Sequence, residues 1–142
     1  MSHFWRTWMT GGCWAVGLFG VILAASAFEA TAGPTRLLFG LLNDRVPLDP
    51  DAHLRFSLAV LGAVSVGWSM TLAAAIKAAH LLGDQARPVW VLVTLSLAAW
   101  YVIDTALSVA TGFGLNAIPN TIFLVVFLLP IIRSGVLKTR SS

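Results

Sequence analysis

The chain has 142 residues, 58% hydrophobic and 11% charged, with a net charge of +3 and a mean hydropathy of +0.85. Soluble domains are about half apolar and a quarter charged, so this little charge cannot cover a water-facing globule and the chain needs a bilayer. One cysteine, Cys13, excludes an internal disulfide framework, His3, His53 and His80 never recur at metal-ligand spacing, and the basic excess forms no stripe of the kind nucleic acid requires.

Crossing a hydrocarbon core takes ~20 apolar residues. Four runs reach that length, at about 8–28, 54–79, 89–113 and 118–136. They predict an all-α membrane protein, a single four-transmembrane-helix bundle over 1–142 with an outer loop at 29–53. The first run, "WMTGGCWAVGLFGVILAASAF", ends on an Ala-x-Ala pattern at Ala25–Ala27, as a cleavable signal peptide does. Arg6 alone makes a thin basic leader, so a retained helix is expected.

The outer loop contains "PTRLLFGLLNDRV", too short to span, with Leu37, Leu38, Leu41 and Leu42 on one face at helical spacing. It reads equally as a short interfacial helix or as an apolar loop over the bundle mouth. Asp49 then suits the cap of the second run, Pro50 its first position and Asp51 its first turn.

Within that run, small residues recur at every fourth position: Ala59, Ala63, Gly67, Thr71, Ala75 and Ala79. Residues four apart share a helix face, and small-xxx-small faces let membrane helices approach closely. Packing inside the bundle is the expected use, with Gly12, Gly17 and Gly20 giving the first run a similar surface. The alternative is a face left over for a partner subunit.

In the third run, Asp104 lies about nine residues from the predicted outer end, or ~13 Å deep. Ser96, Trp100, Asp104 and Ser108 form one row, with Tyr101, Thr105 and Thr111 beside it. An unpaired carboxylate there costs ~3 kcal/mol even on the lenient insertion scale. Reflecting the chain through a turn near Asn116 sets Asp104 level with Leu128, with Arg133 ~7 Å beyond and free to snorkel away. Reflection through Asp84 sets it level with Val64 and Ser65, far from Lys77. The expected state is therefore a neutral acid donating a hydrogen bond, to Ser65, Ser69 or a hydroxyl of its own helix. As a titratable group it would instead be a proton site or catalytic acid.

Reflection through Asp84 pairs Trp68 with Trp100, and Trp14 and Trp68 lie equally far inside their outer ends, which suggests one layer of three indoles. These indoles read as a packing layer, or more sharply as an aromatic-walled pocket completed by Tyr101 and Ser65. Such a pocket suits a bound lipid, isoprenoid, sterol-like, quinone or pigment ligand. In the fourth run Pro130 removes a backbone donor and frees the Val126 carbonyl. Asn116 and Asn120 lie around Pro119 at the outer end, and Asn120 is expected to cap or hydrogen-bond there.

Lys and Arg near the helix ends set orientation. Arg6, Lys77, Arg87, Arg133, Lys138 and Arg140 oppose Arg36, Arg45 and Arg55, the latter diluted by Glu29, Asp44, Asp49 and Asp51. Six against three predicts both termini in the cytoplasm, in a bacterial inner membrane. Trp5, Trp8 and Trp90 fall at that face, where indoles favour headgroups.

With "LRFSLAVLGAVSVGWSMTL" as second span and "WYVIDTALSV" in the third, the layout resembles several uncharacterised bacterial four-helix membrane families. It is also similar to the small four-helix scaffold proteins of ergosterol synthesis. The resemblance is one of topology, transfers no catalytic residue, and implies an assembly role. The leading expectation is a non-enzymatic accessory or scaffold subunit, with membrane lipids and a membrane-protein partner or second copy as neighbours. The second is an enzyme or binder for an isoprenoid-like ligand with Asp104 as catalytic acid. A proton-coupled carrier is the third, although no inverted repeat is visible.

Overall fold

The computed structural model describes residues 1–43, 45 and 48–138. Asp44 and Arg140, both used in the charge comparison, lie outside them. The described residues are helical, without strands: α1 (His3–Ala25), α2 (Gly33–Leu42), α3 (Ala52–Leu82), α4 (Arg87–Ala110) and α5 (Ala117–Arg133), with short 3-10 turns at Glu29–Thr31, Gly83–Ala86 and Gly114–Asn116. Among the described residues three helical stretches are long and apolar enough to cross a membrane: His3–Ala25, Ala52–Ala110 and Gly114–Arg133. These make an integral membrane protein the physical reading.

The middle stretch folds back on itself. Gly83 adopts φ 55°, a left-handed conformation that stops α3. Across the turn His80 stacks edge-on to Trp90 with centroids 5.4 Å apart, and Trp68 meets Trp100 at 5.7 Å. The turn centre is thus near 84, as the reflection through Asp84 requires. Around the molecule α1 packs on α3, α3 on α4, α4 on α5, and α5 on α1.

Glycine sets the tightest of these contacts. A Cβ on Gly62 would lie 2.3 Å from the Ala24 nitrogen and 2.5 Å from the Gly20 oxygen. One on Gly20 would meet the Gly62 oxygen at 2.7 Å. Backbone therefore touches backbone where α1 crosses α3. Toward the other end, Met9, Cys13, Leu72, Ile76, Trp90, Val93, Leu97, Phe127 and Ile131 form the apolar core. Trp90 belongs to this core, 2% exposed, and not to the headgroup layer expected from its position. It is covered because the chain's two ends close over it: His80 contacts Met1, and Arg87 donates to the Leu137 carbonyl.

Residues 29–53 contain a helix, α2, of the two readings open for that loop. Its Thr35 is fully buried and donates to the Ile22 carbonyl at 2.9 Å, whereas Leu37 and Leu41 are exposed. Glu29 pairs with both Arg36 and Arg55, tying α2 to α3. Hydrogen bonds from Arg55, then Arg36, hold its carboxyl below the usual carboxylate range. The cap of α3 is Asp51, accepting from the Leu54 N–H at 2.8 Å, two residues later than the expected Asp49. Pro50 instead precedes the helix, its carbonyl accepting from Arg55 Nε.

Pro130 lies inside α5 and leaves the Val126 carbonyl without its helical donor. Trp8 supplies the replacement: its Nε1 donates to Val126 O at 3.0 Å across the α1–α5 contact. Trp8→Phe should therefore cost about 1–2 kcal/mol in equilibrium unfolding in mixed micelles, because the carbonyl is left unpaired. In a Pro130→Ala background the residue-130 N–H serves that carbonyl, and the cost of Trp8→Phe should largely vanish. A double-mutant cycle reads the difference, and additive effects would rule out the coupling.

Candidate functional site

The polar cluster at the end of the α4–α5 hairpin is the most concentrated chemistry in the described chain. Asp104 is half-buried on α4, six residues from the helix end at Ala110, or ~9 Å. That end falls three residues before the expected Phe113, so the carboxyl is shallower than the sequence suggests. Three donors converge on its Oδ1: Asn120 Nδ2 at 2.7 Å, Asn116 Nδ2 at 2.9 Å and Ser108 Oγ at 3.2 Å. Asn116 also donates to Ser108 Oγ at 2.9 Å, and Asn120 to Thr105 Oγ1 at 3.2 Å. One turn away, Tyr101 Oη and Thr121 Oγ1 share a hydrogen bond of 3.0 Å.

The backbone explains why these groups meet. Gly112, at φ 86°, turns the chain, so α4 and α5 are level where residue numbers are symmetric about 112. Position 104 then faces 120. A reflection through Asn116 misplaces the facing residue by eight, which is why Leu128 and Arg133 looked closest. Arg133 is instead ~20 Å beyond Asn120 along α5. Of the two roles open to Asn120 the structure has the hydrogen-bonding one: it is 6% exposed and turned into the hairpin. α2 braces the same turn, with Asn43 Nδ2 donating to the Gly112 carbonyl at 3.2 Å and Phe39 edge-on to Phe113.

Asp104 Oδ1 accepts these hydrogen bonds, and Ser108, a hydroxyl of its own helix, is among the partners as expected. Ser65 and Ser69 do not reach it. Their hydroxyls donate to the Leu61 and Val66 carbonyls of their own helix. The Asp104 cluster joins α4, the turn and α5 through hydrogen bonds between side chains of all three. No group of three or more His, Cys, Asp or Glu side chains able to hold a metal occurs among the described residues.

The aromatic layer is real but differently composed. Trp68, Trp100 and Phe123 form a triangle with centroids 5.0–5.8 Å apart, extended by Phe127. Trp14 is not in it. The buried positions of α1 are Met9, Gly12, Cys13, Val16, Gly20 and Leu23, and position 14 points nearly opposite them. It is 77% exposed and borders a shallow apolar cleft of about 370 Å³ with Gly17, Leu18, Val21, Val66, Ser69 and Met70. Gly17 faces Ser69 across the α1–α3 contact, so Trp14 lies about one turn from the level of Trp68 as well as on the outer side of α1. The expected pocket of Trp14, Trp68, Trp100, Tyr101 and Ser65 is therefore not assembled.

The small-residue row on α3 is also on a different face from the one packing requires. α3 buries Leu58, Gly62, Ser69, Leu72, Ile76 and Ala79. Of the row, Ala63, Gly67 and Thr71 are exposed, while Ala59 and Ala75 are half-buried and Ala79 is buried. A step of four residues advances 40° round the axis, so the row winds from one flank of the packed face to the other across the outside. No heavy atom lies within 4 Å of a Cβ built on Gly67. No family model, curated protein or solved structure matches this chain.

Proposed function

We propose that this chain is a non-enzymatic accessory or scaffold subunit of a larger membrane complex, joined to its partner through the outer face of α3. The observation that carries the reading is the position of Ala63, Gly67 and Thr71. A row of small residues that helices could approach closely is left outside, while Gly20 and Gly62 perform the internal close contact. Capture of Asp104 by Asn116, Asn120 and Ser108 supports a structural role for the acid over a catalytic one.

In this reading the chain crosses four times, α3 and α4 as separate spans, with α2 at the outer interface and Leu37 and Leu41 toward lipid. Both termini are cytoplasmic, in a bacterial inner membrane. Arg6, Lys77, Arg87 and Arg133 sit at the helix ends that would meet the cytoplasm.

Purification in mild detergent with mass spectrometry of co-purifying proteins tests the proposal. A stoichiometric partner, or a second copy, is expected. Gly67→Leu should reduce its recovery at least tenfold, about 1.4 kcal/mol, without altering the helical content of the chain. A monomer that carries no protein partner, or a partner indifferent to Gly67→Leu and Ala63→Leu, would count against it. A second reading, binding of an apolar isoprenoid-like molecule, is favoured by the cleft beside Trp14 and would appear in the same experiment as a retained small molecule.

A further inference from the structure

At the end of the bundle opposite Asp104, α1 and α3 enclose a cleft of about 420 Å³ lined by Arg6, Thr10, Cys13, Ile76, Lys77 and His80, with Ala73 and Leu81 completing its walls. Helical spacing assembles it. Arg6, Thr10 and Cys13 follow one face of α1 at i, i+4 and i+7, and Lys77, His80 and Leu81 follow one face of α3 at i, i+3 and i+4. The mouth therefore carries two fixed cations and an imidazole, and the floor is apolar. No carboxylate lines the cleft, and neither Arg6 nor Lys77 forms a salt bridge among the described residues. The carboxylate nearest Arg36 and Arg55, by contrast, is used twice at the far end. Thr10 Oγ1 donates to the Arg6 carbonyl, so the positive charge of the cleft comes from Arg6 and Lys77 alone.

We propose that this cleft is a binding site for the phosphate of an anionic glycerophospholipid. The phosphate lies between Arg6 and Lys77, His80 is at its edge, and an acyl chain follows Cys13, Ala73 and Ile76 into the bilayer. Charge complementarity selects the anion, and the apolar floor selects a lipid over a free ion. Basic pockets between membrane helices are a recurrent setting for anionic headgroups. The volume is within the ordinary range of small-molecule sites. The site rests on the reading of the chain as membrane-embedded, and it requires neither a protein partner nor the face of α3 that would bind one.

The test is native mass spectrometry of the full chain titrated with dioleoylphosphatidylglycerol, dioleoylphosphatidylcholine or inorganic phosphate. Phosphatidylglycerol should be retained as a discrete adduct, and phosphatidylcholine much more weakly. The Arg6→Gln/Lys77→Gln pair should weaken the phosphatidylglycerol adduct roughly 30-fold, at about one kcal/mol for each basic group near an anionic surface. Exchange of the two charges (Arg6→Lys with Lys77→Arg) should preserve it, and Arg133→Gln should leave it unchanged. Each single neutral variant gives the same reading if the pair does not fold. Equal retention of the two lipids, or wild-type binding by the folded neutral variants, overturns the proposal. Inorganic phosphate competing as well as the lipid overturns the lipid assignment. Failure of the wild-type chain to enter phosphatidylglycerol nanodiscs would refute the membrane reading itself, a separate outcome.

Discussion

Gly62→Ala should destabilise this protein by about 3 kcal/mol, at the upper end of the cost of overpacking a well-fitted core. The added methyl meets the Ala24 nitrogen and Gly20 oxygen, which are backbone atoms of α1 with no rotamer to change. Relief requires α1 and α3 to separate, and this is the most extensive helix contact in the molecule. Membrane helices gain little from hydrophobicity when they associate, so loss of close packing is not offset elsewhere. Gly67→Ala is the matched control. It adds the same methyl to the same helix in open space, and helix propensity should stabilise it by up to about 1 kcal/mol. Equilibrium unfolding of both variants in mixed micelles measures the difference. Similar stabilities for the two would mean that the Gly20–Gly62 crossing does not hold α1 to α3.

That contrast also shows what is legible in a membrane sequence. Positions along the axis can be read from helix lengths and turns: Trp68 and Trp100 meet because both are 16 residues from Asp84. Rotation about the axis is harder, because lipid-facing and core-facing residues are equally apolar and the pattern that marks a soluble helix's inner face is faint. Trp14 and the row through Gly67 lie on outer faces that apolar pattern alone does not distinguish from inner ones. Small residues advertise a close approach without saying whose. Gly20 belongs to the small-residue surface read on the first run, whereas its partner Gly62 is hidden because it lies outside the regular four-residue row of α3.

Turns fail differently. A four-residue error in a turn centre is modest by itself, but reflection doubles it in the partner helix. Taking Asn116 rather than Gly112 as the centre put Leu128 where Asn120 belongs. The better signal was present in the glycines of "TGFGLN" and in two asparagines four apart, which share one face of a helix. Pro130 was simpler, since its effect on the Val126 carbonyl is local and follows from proline's missing N–H. Only the donor, Trp8, needed tertiary structure to identify.

Asp104→Ala should cost about 2–3 kcal/mol and open the α4–α5 turn, whereas Asp104→Asn should cost about 1 kcal/mol and keep it closed. Removal of the carboxyl leaves the Nδ2 groups of Asn116 and Asn120 without their shared acceptor, and in a weakly polar setting an unmet donor is expensive. An asparagine at 104 still offers one oxygen to both amides. Hydrogen–deuterium exchange across residues 111–117 reads the turn directly: protection should fall in Asp104→Ala and persist in Asp104→Asn. The same pair separates the functional readings. A subunit held by the face of α3 keeps its partner in Asp104→Asn, because the clasp that shapes the hairpin survives. A catalytic acid or proton-coupling site cannot work through an amide, which does not exchange a proton in the required range. Loss of activity with an intact, protected turn would therefore move Asp104 from architecture to chemistry, and retention of the partner would leave it as the hydrogen-bonded centre of the α4–α5 clasp.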